Sequence, residues 1–332
     1  MTTKYNDKVK KELAIFFLIA YVLPYLLGIL MGLLWHGGYD TSAFPNAQMF
    51  YPAAGAMAAM LIVSGKEKSL PKKFYSCFLI ITVLMLAAAI KTAILPSEEV
   101  DLLCQYIIIA GSVVFWIFLL CEKKEVRFAN GLRLFKGKQS VFMVILFLVI
   151  YMLRFVIANA IDGTPEKALE PFMDPERAMI LASLPISFFL SVTAFFGEEY
   201  GWRYFLQPRM QKRFGLRGGV LILGVIWGFW HLPLNLFFYS PDTALQSIVS
   251  QLITCISLGI FFAYAYMKTN NIWVPVILHY LNNNLIYFLT GSADISNQVI
   301  NWQSVLALLI INAVLFVPFI FAKEFHKNAT TS

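Results

Sequence analysis

The chain has 332 residues, of which 59% are hydrophobic and only 14% charged. So few charges over that length exclude a water-soluble globule and indicate a polytopic membrane protein. The formal charge of +7 invites a nucleic-acid reading, but Lys and Arg sit in short loops between apolar runs. That is how a positive-inside membrane protein acquires a basic balance, so no nucleic-acid partner is expected.

About twenty apolar residues cross a bilayer. On that ruler the sequence predicts an all-α transmembrane bundle of about ten spans, near 13–35, 47–64, 74–95, 101–121, 140–161, 178–200, 219–239, 244–267, 273–290 and 301–322. The first run follows Lys4, Lys8, Lys10 and Lys11 and is too long for a signal-peptide core, so it reads as a retained span. Basic loops follow every second span: Lys66, Lys68, Lys72 and Lys73, then Lys123 to Lys138, then Arg203 to Arg217, then Lys268, and Lys323 with Lys327 at the end. The alternate loops carry Asp40, then Glu98, Glu99 and Asp101, then Asp162 to Asp174, then Asp242, then Asp294. Positive-inside bias places both termini in the cytoplasm. Residues 204–214 mix aromatic and cationic side chains, which suits either an interfacial helix or a solvated basic loop. Cys77, Cys104, Cys121 and Cys255 show no Cys-x-x-Cys spacing, so neither a thiolate metal site nor a disulfide framework is suggested.

Polar residues inside three of these runs carry the chemistry. Glu198 and Glu199 end the sixth run, and a charge at the centre of a span costs about 2.5–3.5 kcal/mol, so such residues are functional candidates by default. Glu199 and Arg203 are four apart, the spacing of an ion pair on a helix, whereas Glu198 is turned about 100° away. In the seventh span Trp227, His231 and Asn235 share one face, and Pro233 should distort the helix near the histidine. A lone His in a span is more often a helix-to-helix hydrogen bonder than a catalyst. In the ninth span His279 and Asn283 share a face, within a run of three asparagines that must find partners in the bundle or in water. Three helices thus offer Glu, Glu, Arg, His, His and Asn toward the cytoplasmic half of one bundle. His36 and His326 sit in loops and carry no expected role.

Glu198-Glu199 with Arg203, then Trp227 with His231, then His279 with Asn283, in this order on successive hydrophobic segments, resembles the CPBP family of intramembrane proteases. That group, also called Abi, contains CAAX proteases, bacteriocin-processing proteins and bacteriocin-immunity proteins, and it includes the type II CAAX prenyl endopeptidase. The resemblance covers roughly residues 185–290 and divides the chain into N-terminal spans of unassigned role (1–139), a protease-like core (140–322) and a cytoplasmic tail (323–332). Trp227 stands where the family usually has Phe, and the chain has more spans than the compact eight-helix core.

The resemblance implies an endopeptidase, placed in a bacterial plasma membrane, that cuts a membrane-associated peptide or protein: a prenylated CAAX-like C-terminus or a bacteriocin-type precursor. Glu198 would be the general base, and burial beside a like charge suits a group that works as base and acid near neutrality. His231 would position the water, His279 and Asn283 would donate to the oxyanion, and Glu199, Arg203 and Trp227 would support them. No cofactor is required on that reading. The competing mechanism is a zinc centre, with His231, His279, Glu198 and Glu199 as candidate ligands. Outside proteolysis, a scaffold or self-immunity protein of the same family is the main alternative. A proton-coupled transporter ranks third, because no internal repeat is visible.

Overall fold

The computed structural model describes residues 2–65, 67, 69–94, 97–292 and 294–326. Lys66, Lys68 and Lys327, the side chains of Lys4 and Glu98, and residues 327–332 of the tail lie outside that description. Among the described residues the regular structure is all helical, with no strand. Nine helices among them are long and apolar enough to cross a membrane: α1 (Asp7–His36), α2 (Ala43–Ser64), α3 (Lys72–Lys91), α4 (Glu99–Cys121), α5 (Gly137–Ile161), α6 (Pro175–Phe214), α7 (Leu216–Tyr239), α8 (Pro241–Thr269) and α10 (Trp302–Phe321).

The tenth expected span is a helix too, α9 (Trp273–Thr290). It falls short of the other nine in apolarity because His279 and the Asn282–Asn284 run occupy its middle. The second difference concerns residues 204–214. They are helical rather than a loop, and continue α6 through a π-helical turn over Tyr200–Leu206 and an α-helical stretch over Gln207–Phe214.

The chain forms two compact units. The first holds residues 1–134 together with 189–205, the second 135–188 together with 206–332. In the first, Phe74 and Phe78 of α3, Phe115 of α4 and Phe196 of α6 form an aromatic cluster with ring centroids 4.9–6.4 Å apart. Edge-to-face rings of this kind add about 0.5–1.5 kcal/mol per pair beyond the area they bury. Ser112 of α4 and Thr193 of α6 share a hydrogen bond at 2.9 Å, which satisfies two hydroxyls where no water competes.

In the second unit the starts of α5 and α9 are tied together. Asn271 Nδ2 donates to the Phe135 carbonyl at 3.2 Å and to Ser140 Oγ at 3.1 Å, and Lys136 Nζ donates to the Lys268 carbonyl at 3.1 Å. The two helices therefore run parallel. The opening turns of α6 run the other way along α9, with Arg177 donating to the Leu289 carbonyl at 3.0 Å and Tyr280 Oη to the Leu184 carbonyl at 2.8 Å. Phe147, Phe261, Phe316 and Phe319 knit α5, α8 and α10 together.

Candidate functional site

The seven candidate residues divide between the units. Glu198, Glu199 and Arg203 lie in the first; Trp227, His231, His279 and Asn283 lie in the second.

On α6 the glutamates are flanked by Gly197 and Gly201, and packing explains both glycines. A Cβ on Gly197 would stand 2.3 Å from the Met49 carbonyl oxygen, and one on Gly201 would stand 2.4 Å from the carbonyl carbon of Pro52. The backbone of α2 thus passes directly over this turn, as small residues four apart permit in membrane helices. Glu199 and Arg203 are each 0% exposed, and Arg203 Nε donates to Glu199 Oε2 at 2.9 Å. The expected i,i+4 pair is made, even though the helix widens to a π turn across it. Glu198 is 3% exposed.

The rest of the turn is fixed from outside. Tyr200 stacks between Phe196, at 4.8 Å, and Tyr204, at 4.5 Å. Its hydroxyl donates to the Asn130 carbonyl at 3.0 Å and lies 2.6 Å from that of Tyr75. Asn130 Nδ2 in turn donates to the Ser69 and Val126 carbonyls. Trp202 and Phe205 pack on Phe16 of α1. Nothing in the local sequence announces Tyr200, because its partner lies seventy residues earlier.

In the second unit the regular helix of α7 ends at Trp230, and His231 sits in the break, with Pro233 just beyond. The Asn235 side chain bridges the break, donating to the His231 carbonyl at 2.9 Å and accepting from Ser247 Oγ at 2.7 Å. His231 is 7% exposed, and its Nδ1 lies 2.8 Å from the Trp227 carbonyl. A carbonyl only accepts, so Nδ1 carries the proton. The neutral ring then presents the Nε2 lone pair as an acceptor or base.

Trp227 also touches the second imidazole. Its ring centroid is 6.1 Å from that of His231 and 5.6 Å, edge-on, from that of His279, which is 5% exposed on α9. One indole therefore contacts both histidines. Asn283, one turn beyond His279, is exposed, and its Oδ1 accepts from Asn282 Nδ2 at 2.9 Å. Asn284 donates to the Tyr280 carbonyl at 2.9 Å, so the asparagine run finds part of its bonding on its own helix.

The sequence reading overlooked one charge, Arg154, in the last third of α5. A guanidinium inside a 25-residue apolar helix was the available signal. Among the described residues no three His, Cys, Asp or Glu side chains are gathered as a metal centre requires.

Residues 180–285 match the family described as type II CAAX prenyl endopeptidase Rce1-like. The chain is also 30% identical over 106 residues to the CAAX prenyl protease 2 of Methanococcus maripaludis, a stretch amounting to 30% of this chain and 39% of that protein. The chain thus spans about two fifths of the length of that relative. No solved structure matches the chain significantly. The resemblance drawn from the motifs holds over this stretch, which contains Glu198, Glu199, Arg203, Trp227, His231, His279 and Asn283.

Proposed function

Taking residues 180–285 as an Rce1-like segment, we propose that this integral membrane protein is an endopeptidase that hydrolyses a CAAX-like, prenylated C-terminus. The observation that carries the reading is that all seven motif residues fall within the Rce1-like stretch. The two buried imidazoles sharing Trp227 support it.

In this reading Glu198 takes a proton from the attacking water and returns it to the leaving amine. His231 accepts a hydrogen bond from water through Nε2, with its tautomer fixed by the Trp227 carbonyl. Asn283 donates to the developing oxyanion through its amide, and His279 through a ring N–H. Glu199 and Arg203 hold the turn that presents Glu198. The C–N bond breaks as the amine takes the proton from Glu198, the water oxygen ends on the new carboxyl group, and that group releases the remaining proton to bulk water, so no redox partner is needed.

The test is hydrolysis of a prenylated peptide by the purified full chain in lipid vesicles, with Glu198→Gln beside the parent. General-base catalysis contributes about 10²–10⁴-fold, so the variant should lose at least about a hundredfold in kcat while its Tm stays close to that of the parent. A folded parent that binds the peptide and never cuts it would replace the protease with a non-proteolytic binding protein.

A further inference from the structure

Arg154 needs an anion. Its position continues the inward stripe of α5 formed by Met143, Phe147, Ile150 and Tyr151, which lie eleven, seven, four and three residues before it. That stripe packs on α8, α9 and α10, and Arg154 itself is half-buried. No carboxylate among the described residues pairs with it. Its guanidinium lies over the Tyr151 ring, 5.8 Å from the centroid. A cation held by its face keeps its in-plane N–H groups for another partner, and that fork matches the two oxygens of a carboxylate.

Tyr151 also locates this cation relative to the asparagine run. Its hydroxyl donates to the Asn282 carbonyl at 2.9 Å, beside Asn283 and one turn past His279. Because α5 and α9 run parallel, Arg154 lies about 4.5 Å further along the bundle than Tyr151, on the side away from His279. A CAAX terminus places three residues and a free carboxylate after the lipidated cysteine. At about 3.3–3.6 Å per extended residue, that carboxylate lies roughly 10 Å from the carbonyl of the cysteine. By the same rise Arg154 stands about 3 Å beyond Asn283 and about 9 Å beyond His279 along the bundle, within reach of a carboxylate at that distance.

We propose that Arg154 is a specificity-determining residue that binds the α-carboxylate at the substrate's C-terminus, so that the protein acts on peptides ending in a free acid near the cut. This rests on the protease reading above and names its substrate class more closely. Tyr151 is the positioning residue that holds the guanidinium.

The test uses two prenylated peptides that differ only at the terminus, one a free acid and the other a carboxamide, with the full chain in lipid vesicles. The parent should favour the acid at least tenfold in kcat/KM, mainly through KM. Arg154→Gln should bring the acid-to-amide ratio in kcat/KM down to about one. Arg154→Lys keeps a charge without the fork, and should keep part of the preference. A parent indifferent to the terminus, or an Arg154→Gln that slows both peptides in proportion, overturns the proposal. If Arg154→Gln does not fold, the acid-to-amide ratio of Arg154→Lys decides: an undiminished ratio overturns the proposal. A parent that cuts neither peptide defeats the protease reading instead. Equilibrium binding of the same pair then judges Arg154 alone, with tenfold tighter binding of the acid, lost in Arg154→Gln, as support and equal binding as refutation.

Discussion

The turn around Glu198 and the helices bearing His231 and His279 treat their polar groups differently. In the first unit Glu199 is closed on Arg203, Tyr200 on Tyr75 and Asn130, and Asn130 on two further carbonyls. In the second unit His231 commits one ring nitrogen to Trp227 and presents the other, and Asn283 stands exposed with a single neighbouring amide as partner. Bonding that closes on itself holds a backbone in place, whereas bonding left open offers a donor or a lone pair to something else. On the proposed reading the difference separates Glu199 and Arg203, which support, from His231 and Asn283, which present polar atoms, although all share one motif pattern.

The largest effect that would break this contrast is in the closed region. Removing one partner of a buried ion pair strands the other charge, at a cost of about 3–5 kcal/mol. Arg203→Ala should therefore lower the Tm sharply and reduce the yield of folded protein. A well-folded Arg203→Ala with lost cleavage would instead move Arg203 into the chemistry. In the open region, Asn283→Ala should reduce kcat about 10²–10³-fold, the loss typical of one oxyanion donor, with the Tm unchanged. A fall in Tm without a fall in kcat would make Asn283 a packing residue. The smallest effect sharpens the picture: Tyr200→Phe deletes one hydroxyl from the closed network and should cost about 1 kcal/mol in Tm-derived stability, leaving KM as it was.

Much of the fold was legible because a bilayer imposes it. Helices must be about twenty residues long, and their polar ends recur in the loops, so ten helices could be placed from apolar runs alone. The Glu199–Arg203 pair was legible because helical spacing is local. Tyr200 was not, since its hydroxyl finds Asn130 and Tyr75 across tertiary distance. Nor was the π-helical turn, which differs from an α-helix only in which carbonyl each N–H reaches. Arg154 was passed over because one cation barely dents the apolarity of a span, yet its cost at that depth was the reason to stop there. The polarity of α9 was visible as three asparagines and a histidine, the same residues that set this helix apart from the other nine.

The first unit is discontinuous in sequence, and this bears on how the protein is made. Residues 1–134 leave the ribosome first, and about fifty more residues are translated before 189–205 follow. Phe196 is made about eighty residues after Phe115, so at about 5–20 residues per second Phe74, Phe78 and Phe115 wait on the order of four to sixteen seconds or more for it to join their cluster. During that interval the early helices stand in the bilayer with an unfilled seam between α3 and α4. A nascent chain stalled in that window would expose the seam to any quality-control protease able to read it from within the lipid.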